Sequence, residues 1–170
     1  MNPPNPTSPE PWLRGTLSDV PAVPRAVLHA LELAKEDLWK WCFPLTDEQL
    51  NDQQAGLAPV AFHLRHIARS LDRLLTYAEG GAVDEVQLSL LSSELAPGAK
   101  HEALFLELVN ALNRSALRIR TLASSDFEAR RAVGKKQVPT TIGGLLVHIA
   151  DHTQRHVGQA IATAKLVTRR

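Results

Sequence analysis

A single cysteine, Cys42, rules out an intrachain disulfide framework and suits a reducing compartment. Neither sign of charge is in excess: 19 lysines and arginines stand against 18 acidic residues, a formal net charge of +1. A surface that binds phosphate backbones usually shows a basic excess or stripe, so nucleic acid is not expected as a partner. No apolar run approaches the roughly 18 residues of a membrane span. No charged-then-apolar leader opens the chain; Met1 to Pro11 contain five prolines and little to bury. These absences lead us to expect a cytoplasmic protein with no membrane partner. We further expect a disordered Pro-rich tail over residues 1–11 and one domain over 12–170. Sustained strand alternation is missing too, which argues against a β-sheet core.

What is present is helical periodicity. Val27, Leu31, Ala34, Leu38 and Trp41 repeat at three-four spacing and predict a first long helix. It should begin near Pro21 to Pro24, with Ser18 or Asp19 as cap, and stop at Pro44. Thr46-Asp-Glu-Gln49 matches a capping box for a short helix ending near Asn51. A second long helix should run from Pro59 to about Glu79, closed by Gly80-Gly81. Another short one lies within Val83 to Leu95, and a third long helix spans Lys100 to Ala123 with Ser115 as a polar break in its stripe. The basic connection Phe127 to Val138 (Arg130, Arg131, Lys135, Lys136) reads as solvated loop or one short extended piece. Thr140 caps a fourth long helix reaching about Leu166. The expected fold is all-α, a four-helix bundle with short extra helices in its connections.

Three of the seven histidines, His148, His152 and His156, stand at four-residue intervals on this fourth helix. At about 100° per residue, His156 falls inside the apolar stripe, His152 at its edge and His148 further out. A lone interior histidine is usually a hydrogen-bonded core residue. Two adjacent imidazoles on one interior face each need a polar partner there, and a shared metal ion supplies both. The second helix offers His63 and His66 as a further ligand; periodicity favours His63, which is nearer the apolar stripe. His29 and His101 are isolated and read as surface residues. Arg65, Arg69 and Arg155 read as a solvated face, or as contacts for an anionic substrate.

His152-Thr-Gln-Arg-His156-Val-Gly158-Gln159 resembles the H-x-x-x-H-x-G-Q signature of the DinB-like metal-binding bundles. The stretch His66-Ile-Ala-Arg-Ser-Leu-Asp-Arg-Leu-Leu resembles the histidine-bearing second helix of the same family, and the two motifs occur in the family's order. The resemblance covers roughly Asp19 to Leu166. It implies a bundle of DinB-like type and, carried over residue by residue, three metal ligands at His66, His152 and His156. That choice replaces His63 by His66 and leaves His63 and His148 one turn from ligands, as supporting or substrate-facing groups.

Three neutral imidazoles suit a divalent transition ion such as zinc, nickel or iron(II) and leave a coordination position open. Such a site should lose its ion as pH falls below about 6. Hydrolysis usually wants a general base beside the metal, but no glutamate separates His152 from His156. Nor does the chain contain any E-x-x-H, which argues against a ferritin-like di-iron bundle. Some members of the family that this chain resembles are thiol S-transferases or thiol-dependent isomerases, using bacillithiol or mycothiol. The resemblance therefore implies a metal-dependent enzyme acting on a small-molecule substrate with a low-molecular-weight thiol, and a homodimer. The alternatives are a metal-dependent hydrolase and a non-enzymatic, stress-linked metal-binding protein.

Overall fold

A computed structural model describes residues 9–54 and 56–169. Four long helices form the body: α1 (Ala22–Trp41), α3 (Val60–Ala78), α5 (His101–Thr121) and α6 (Ile142–Val167). Two short helices, α2 (Asp47–Asn51) and α4 (Glu85–Ser92), lie in the connections. Among the described residues no helix is long and apolar enough to cross a membrane.

Around the bundle, α1 packs on α6, α6 on α3, α3 on α5, and α5 closes back on α1. Side-chain ties give the directions. His63 meets His156 and His66 meets His152, so α3 and α6 are antiparallel. Arg69 reaches Glu107 and Arg118 reaches Asp72 and Glu79, so α3 and α5 are parallel. Gln154 donates to the Ala30 carbonyl and Lys165 sits over the Trp41 ring, so α1 and α6 are parallel. The order is up-down-down-up.

This topology has a consequence for the connections. Because neighbours α3 and α5 point the same way, the chain between them must travel back along the bundle. It does so beside α3: Gln87 binds Asp72 and Thr76, the Leu90 carbonyl accepts from Arg69, and Glu94 reaches His66. The return segment is thus laced to α3 from its C-terminal end toward its N-terminal end.

The core is aliphatic. Leu38, Leu64, Leu71, Leu108, Ile119 and Leu146 are among its fully buried side chains. The capping boxes that open α2 at Thr46 and α4 at Asp84 satisfy backbone donors at both starts. Helix α1 starts at Ala22 after Pro21 with no side-chain cap, in place of the cap expected from Ser18 or Asp19. Pro24, within the first turn, has its φ held near the helical value and no amide to leave unpaired. At the far end of α3, Gly80 takes φ +87°, a conformation disfavoured by side chains, while the Gly81 amide donates to the Thr76 carbonyl at 2.8 Å.

Two further expectations need correction. The basic connection is neither loop nor a single extended piece but a hairpin, β1 (Arg130–Val133) paired antiparallel with β2 (Val138–Thr141). Two four-residue strands are too short for an alternation signal. The cap of α6 is Thr141, whose hydroxyl accepts from the Gly144 amide at 3.0 Å, one residue later than expected. Gly143 lets Phe127 sit on this helix start: a Cβ there would stand 3.1 Å from the Phe127 carbonyl oxygen. Of the expected tail, residues 1–8 lie outside the described residues. Its end, Pro11, is buried at the start of a 3-10 turn (Pro11–Leu13), and Arg14 holds that turn to α1 through Glu32 and Glu36.

Candidate metal centre

Helix α3 carries His63 and His66 one turn apart, and α6 carries His152 and His156. Antiparallel packing sets the two pairs face to face. His66, His152 and His156 each offer one ring nitrogen, and the three atoms lie within 4.8 Å of one another. The Nε2 atoms of His66 and His152 are 2.8 Å apart.

For His66 and His156 the other ring nitrogen has a partner that orients it. His66 Nδ1–H donates to Glu94 Oε2 at 2.7 Å, and Arg73 donates to Glu94 Oε1 at 2.9 Å. That bond puts the His66 lone pair on Nε2, facing His152. Burial pushes the Glu94 carboxyl up, but hydrogen bonds from His66 and Arg73 outweigh it and hold the group below the usual carboxylate range. Glu94 is therefore an anion at neutral pH although only 4% of its side chain is exposed.

His156 Nδ1 lies 3.1 Å from His63 Nδ1, which leaves its Nε2 for the shared space. His63, preferred on periodicity, is indeed the more buried of the two α3 histidines, but it stands behind His156 and outside the three-histidine group. Periodicity located the core side of the helix; the open space of the cluster lies at the stripe's border. Phe62 stacks on His66 with ring centroids 5.3 Å apart and stands edge-on to His63 and His156, an aromatic wall on one side.

Electrostatics keep His63, His152 and His156 neutral. Burial, then the charge of neighbouring imidazoles, lowers His63 and His152 to about 4. Burial, His66 and Arg155 lower His156 to about 4, against a smaller opposing effect of Glu94. Neutral imidazoles with free lone pairs are what a transition ion requires.

The residues fit such an ion. Nitrogens bound at ~2.0–2.1 Å in a tetrahedral set stand about 3.3 Å apart. The His66–His152 pair would open by about half an ångström from 2.8 Å, and the widest separation, within 4.8 Å, would close.

Other candidates fall elsewhere. His148 is 46% exposed and lies 3.6 Å from Asp151, beside rather than within the cluster. Arg65 donates to the carbonyls of Glu94 and Ala96, Arg69 pairs with Glu107, and Arg155 pairs with Asp151. None of the three arginines is a bare solvated cation. His29 is buried with Nε2 3.1 Å from the Thr16 hydroxyl, and His101 binds the Phe43 carbonyl and packs on Phe43 and Phe105. Both corrections come from loop residues that fold over the ring. Gly158 and Gln159 are exposed, and a Cβ at Gly158 would touch nothing, so that part of the motif is not part of the cluster.

With this geometry in view, comparison with known families is decisive. The family model of the DinB superfamily matches residues 30–160. The chain belongs to the DinB superfamily. The match spans both histidine-bearing helices and the return segment with Glu94. No curated protein and no solved structure matches the chain. Membership of the DinB superfamily and the three-histidine group are together compatible with metal binding. Sequence reasoning missed Glu94, Arg73 and Phe62. Phe62 carried a signal, lying four residues before His66 on one helix face. Glu94 carried none, being brought in from 28 residues away by the return path.

Proposed function

We propose that this DinB-superfamily protein is an enzyme that uses a divalent transition ion, held by His66, His152 and His156, together with a low-molecular-weight thiol. The reaction class is S-transfer to a small-molecule substrate. The observation that carries the reading is the commitment of Glu94 and Asp151 to other partners. Glu94 is engaged by His66 and Arg73, and Asp151 by Arg155, so neither is placed to take a proton from water at the cluster.

The ion would supply Lewis acidity and favour the deprotonated form of a thiol brought to it. The chain's own residues would do the rest. Glu94 fixes the tautomer and angle of His66, His63 holds His156 by its Nδ1, and Phe62 offers an apolar face beside the rings. The chain does not provide the thiol: Cys42 is fully buried, and burial pushes its thiol up to about 12. A thiol from a second small molecule meets the same need. On the family resemblance we further propose a cytoplasmic homodimer; light scattering of the purified protein tests the stoichiometry.

The test begins with metal analysis of protein purified without a nickel column. One equivalent of zinc, nickel or iron per chain is expected, and its absence would sink the reading. Metal-loaded protein is then assayed for thiol S-transfer and against esters and amides. Turnover of esters without any thiol would favour the hydrolase instead. Stoichiometric metal with no turnover in either assay would favour the non-enzymatic alternative.

A further inference from the structure

The basic hairpin has no part in the metal centre. It encloses, with the C-terminal end of α3 and the start of the return segment, a cavity of about 540 Å³. This lies within the roughly 300–1,000 Å³ of small-molecule sites. Tyr77 is eleven residues beyond His66 on α3, about 16 Å along the axis, so the cavity is separate from the histidines.

Its wall contains three cations, Arg130, Arg131 and Lys135, and no carboxylate. Among the described residues Arg130 and Lys135 have no ion-pair partner. Arg131 is held in place: its Nε donates to the Ala78 carbonyl at 2.7 Å and its Nη1 to the Arg130 carbonyl at 2.8 Å. Its Nη2 has no partner among the described residues. The donation to Ala78 also offsets the negative end of the α3 dipole, which would otherwise oppose an anion here. Of the carboxylates flanking the cavity in sequence, Glu79 is paired with Arg118 and Asp84 accepts as a cap from the Gln87 amide, while Glu85 and Glu128 are exposed and outside the lining. The wall also contains the apolar side chains of Tyr77, Val83 and Leu88. A one-signed cleft with a low-dielectric wall concentrates counter-ions.

We propose that this cavity binds a small organic anion. Its carboxylate or phosphate end meets Arg130, Arg131 and Lys135, and its hydrocarbon body lies on Tyr77, Val83 and Leu88.

Calorimetric titration of the full chain with hexyl phosphate, inorganic phosphate and hexanol tests it. Hexyl phosphate is expected to bind saturably at one site, with the other two probes about tenfold weaker or more. The Arg130→Gln/Lys135→Gln variant is expected to lose about tenfold or more in hexyl phosphate affinity at an unchanged melting temperature, since hydrogen bonds to charged groups are each worth about that. Arg131 is left in place because it closes α3. No saturable binding of hexyl phosphate up to about 10 mM would overturn the proposal. So would unchanged affinity in the double variant, which would place the binding elsewhere, the histidines included. Inorganic phosphate binding as tightly as hexyl phosphate would overturn the apolar half of the site.

Discussion

Replacing Glu94 by Gln separates charge from shape at a carboxylate that touches the histidine cluster. Glu94 accepts from His66 Nδ1 at 2.7 Å and from Arg73 at 2.9 Å, with side chains 4%, 16% and 12% exposed for Glu94, His66 and Arg73. A glutamine oxygen can still accept from His66, so the ring keeps its place. What is lost is the charge: a bond to an ionised partner is worth about 1.5–3 kcal/mol and a neutral one about 1. The glutamine amide would also face the Arg73 cation with its own donors. The lost charge lowers the basicity of His66 Nε2, the atom turned toward His152. Removing such an orienting partner typically costs about 10–100-fold in metal affinity. We expect Glu94→Gln to weaken zinc at least about tenfold, or about 1.4 kcal/mol. Glu94→Ala is less informative because it strands a largely buried Arg73 and should cost about 3 kcal/mol of fold stability. The assay is competition with a chromophoric chelator near neutral pH, alongside thermal unfolding of the metal-free protein. A folded Glu94→Gln protein binding zinc within about twofold of wild type would refute the argument that Glu94 tunes His66.

The two α3 histidines should behave differently. His66→Ala removes a member of the cluster and is expected to abolish stoichiometric metal, whereas His63→Ala removes only the support of His156 and should cost about 10–100-fold; equal losses, or the reverse order, in the same competition assay would restore the periodicity choice. Metal retention should persist to lower pH than the value of about 6 expected for ordinary imidazoles. His152 and His156 are lowered to about 4, so between 6.5 and 4 they resist protonation and protons displace the ion only as pH nears 4; half-release of zinc near 6.5 in stepped dialysis would contradict the burial argument. The same shifts set the stability of the metal-free fold. Across that window the unfolded chain takes up protons that His63, His152 and His156 resist, so stability present above 6.5 is lost as pH falls toward 4; urea midpoints that stay flat over this range would count against it. In the core, Leu71 is fully buried, and Leu71→Ala should cost about 2–5 kcal/mol in urea unfolding.

The sequence made the long helices legible because each buries a continuous stripe of aliphatic residues, a pattern that survives without knowledge of the partner helix. Caps with local chemistry were equally legible: Thr46 and Gln49 satisfy each other's backbone within four residues. The hairpin was not, because its strands are four residues long and its turn carries Lys135 and Lys136, indistinguishable by composition from solvated loop. His152 and His156 could be found from α6 alone. The choice between His63 and His66 could not be made by periodicity, which ranks residues by depth. In the fold it is His66, the less buried of the two, whose nitrogen falls within 4.8 Å of those of His152 and His156.

Glu94 shows where such reading ends. Its role depends on α3 and α5 pointing the same way, which forces the intervening chain to run back past His66. Direction is a property of the assembled bundle, and no local window encodes it. Yet once the order up-down-down-up is known, the arginines that line the return become intelligible. Arg65, Arg69 and Arg73 stand at four-residue intervals on α3 and bind, in turn, the carbonyls of Glu94 and Ala96, the Leu90 carbonyl with Glu107, and the Glu94 carboxylate. A stripe in which Arg65 and Arg69 read from sequence as a solvated face is the fastening by which the return segment is held to α3. The buried Glu94 carboxylate beside the histidines is a product of that fastening, so the path of the connection and the hydrogen bond that orients His66 are a single structural fact.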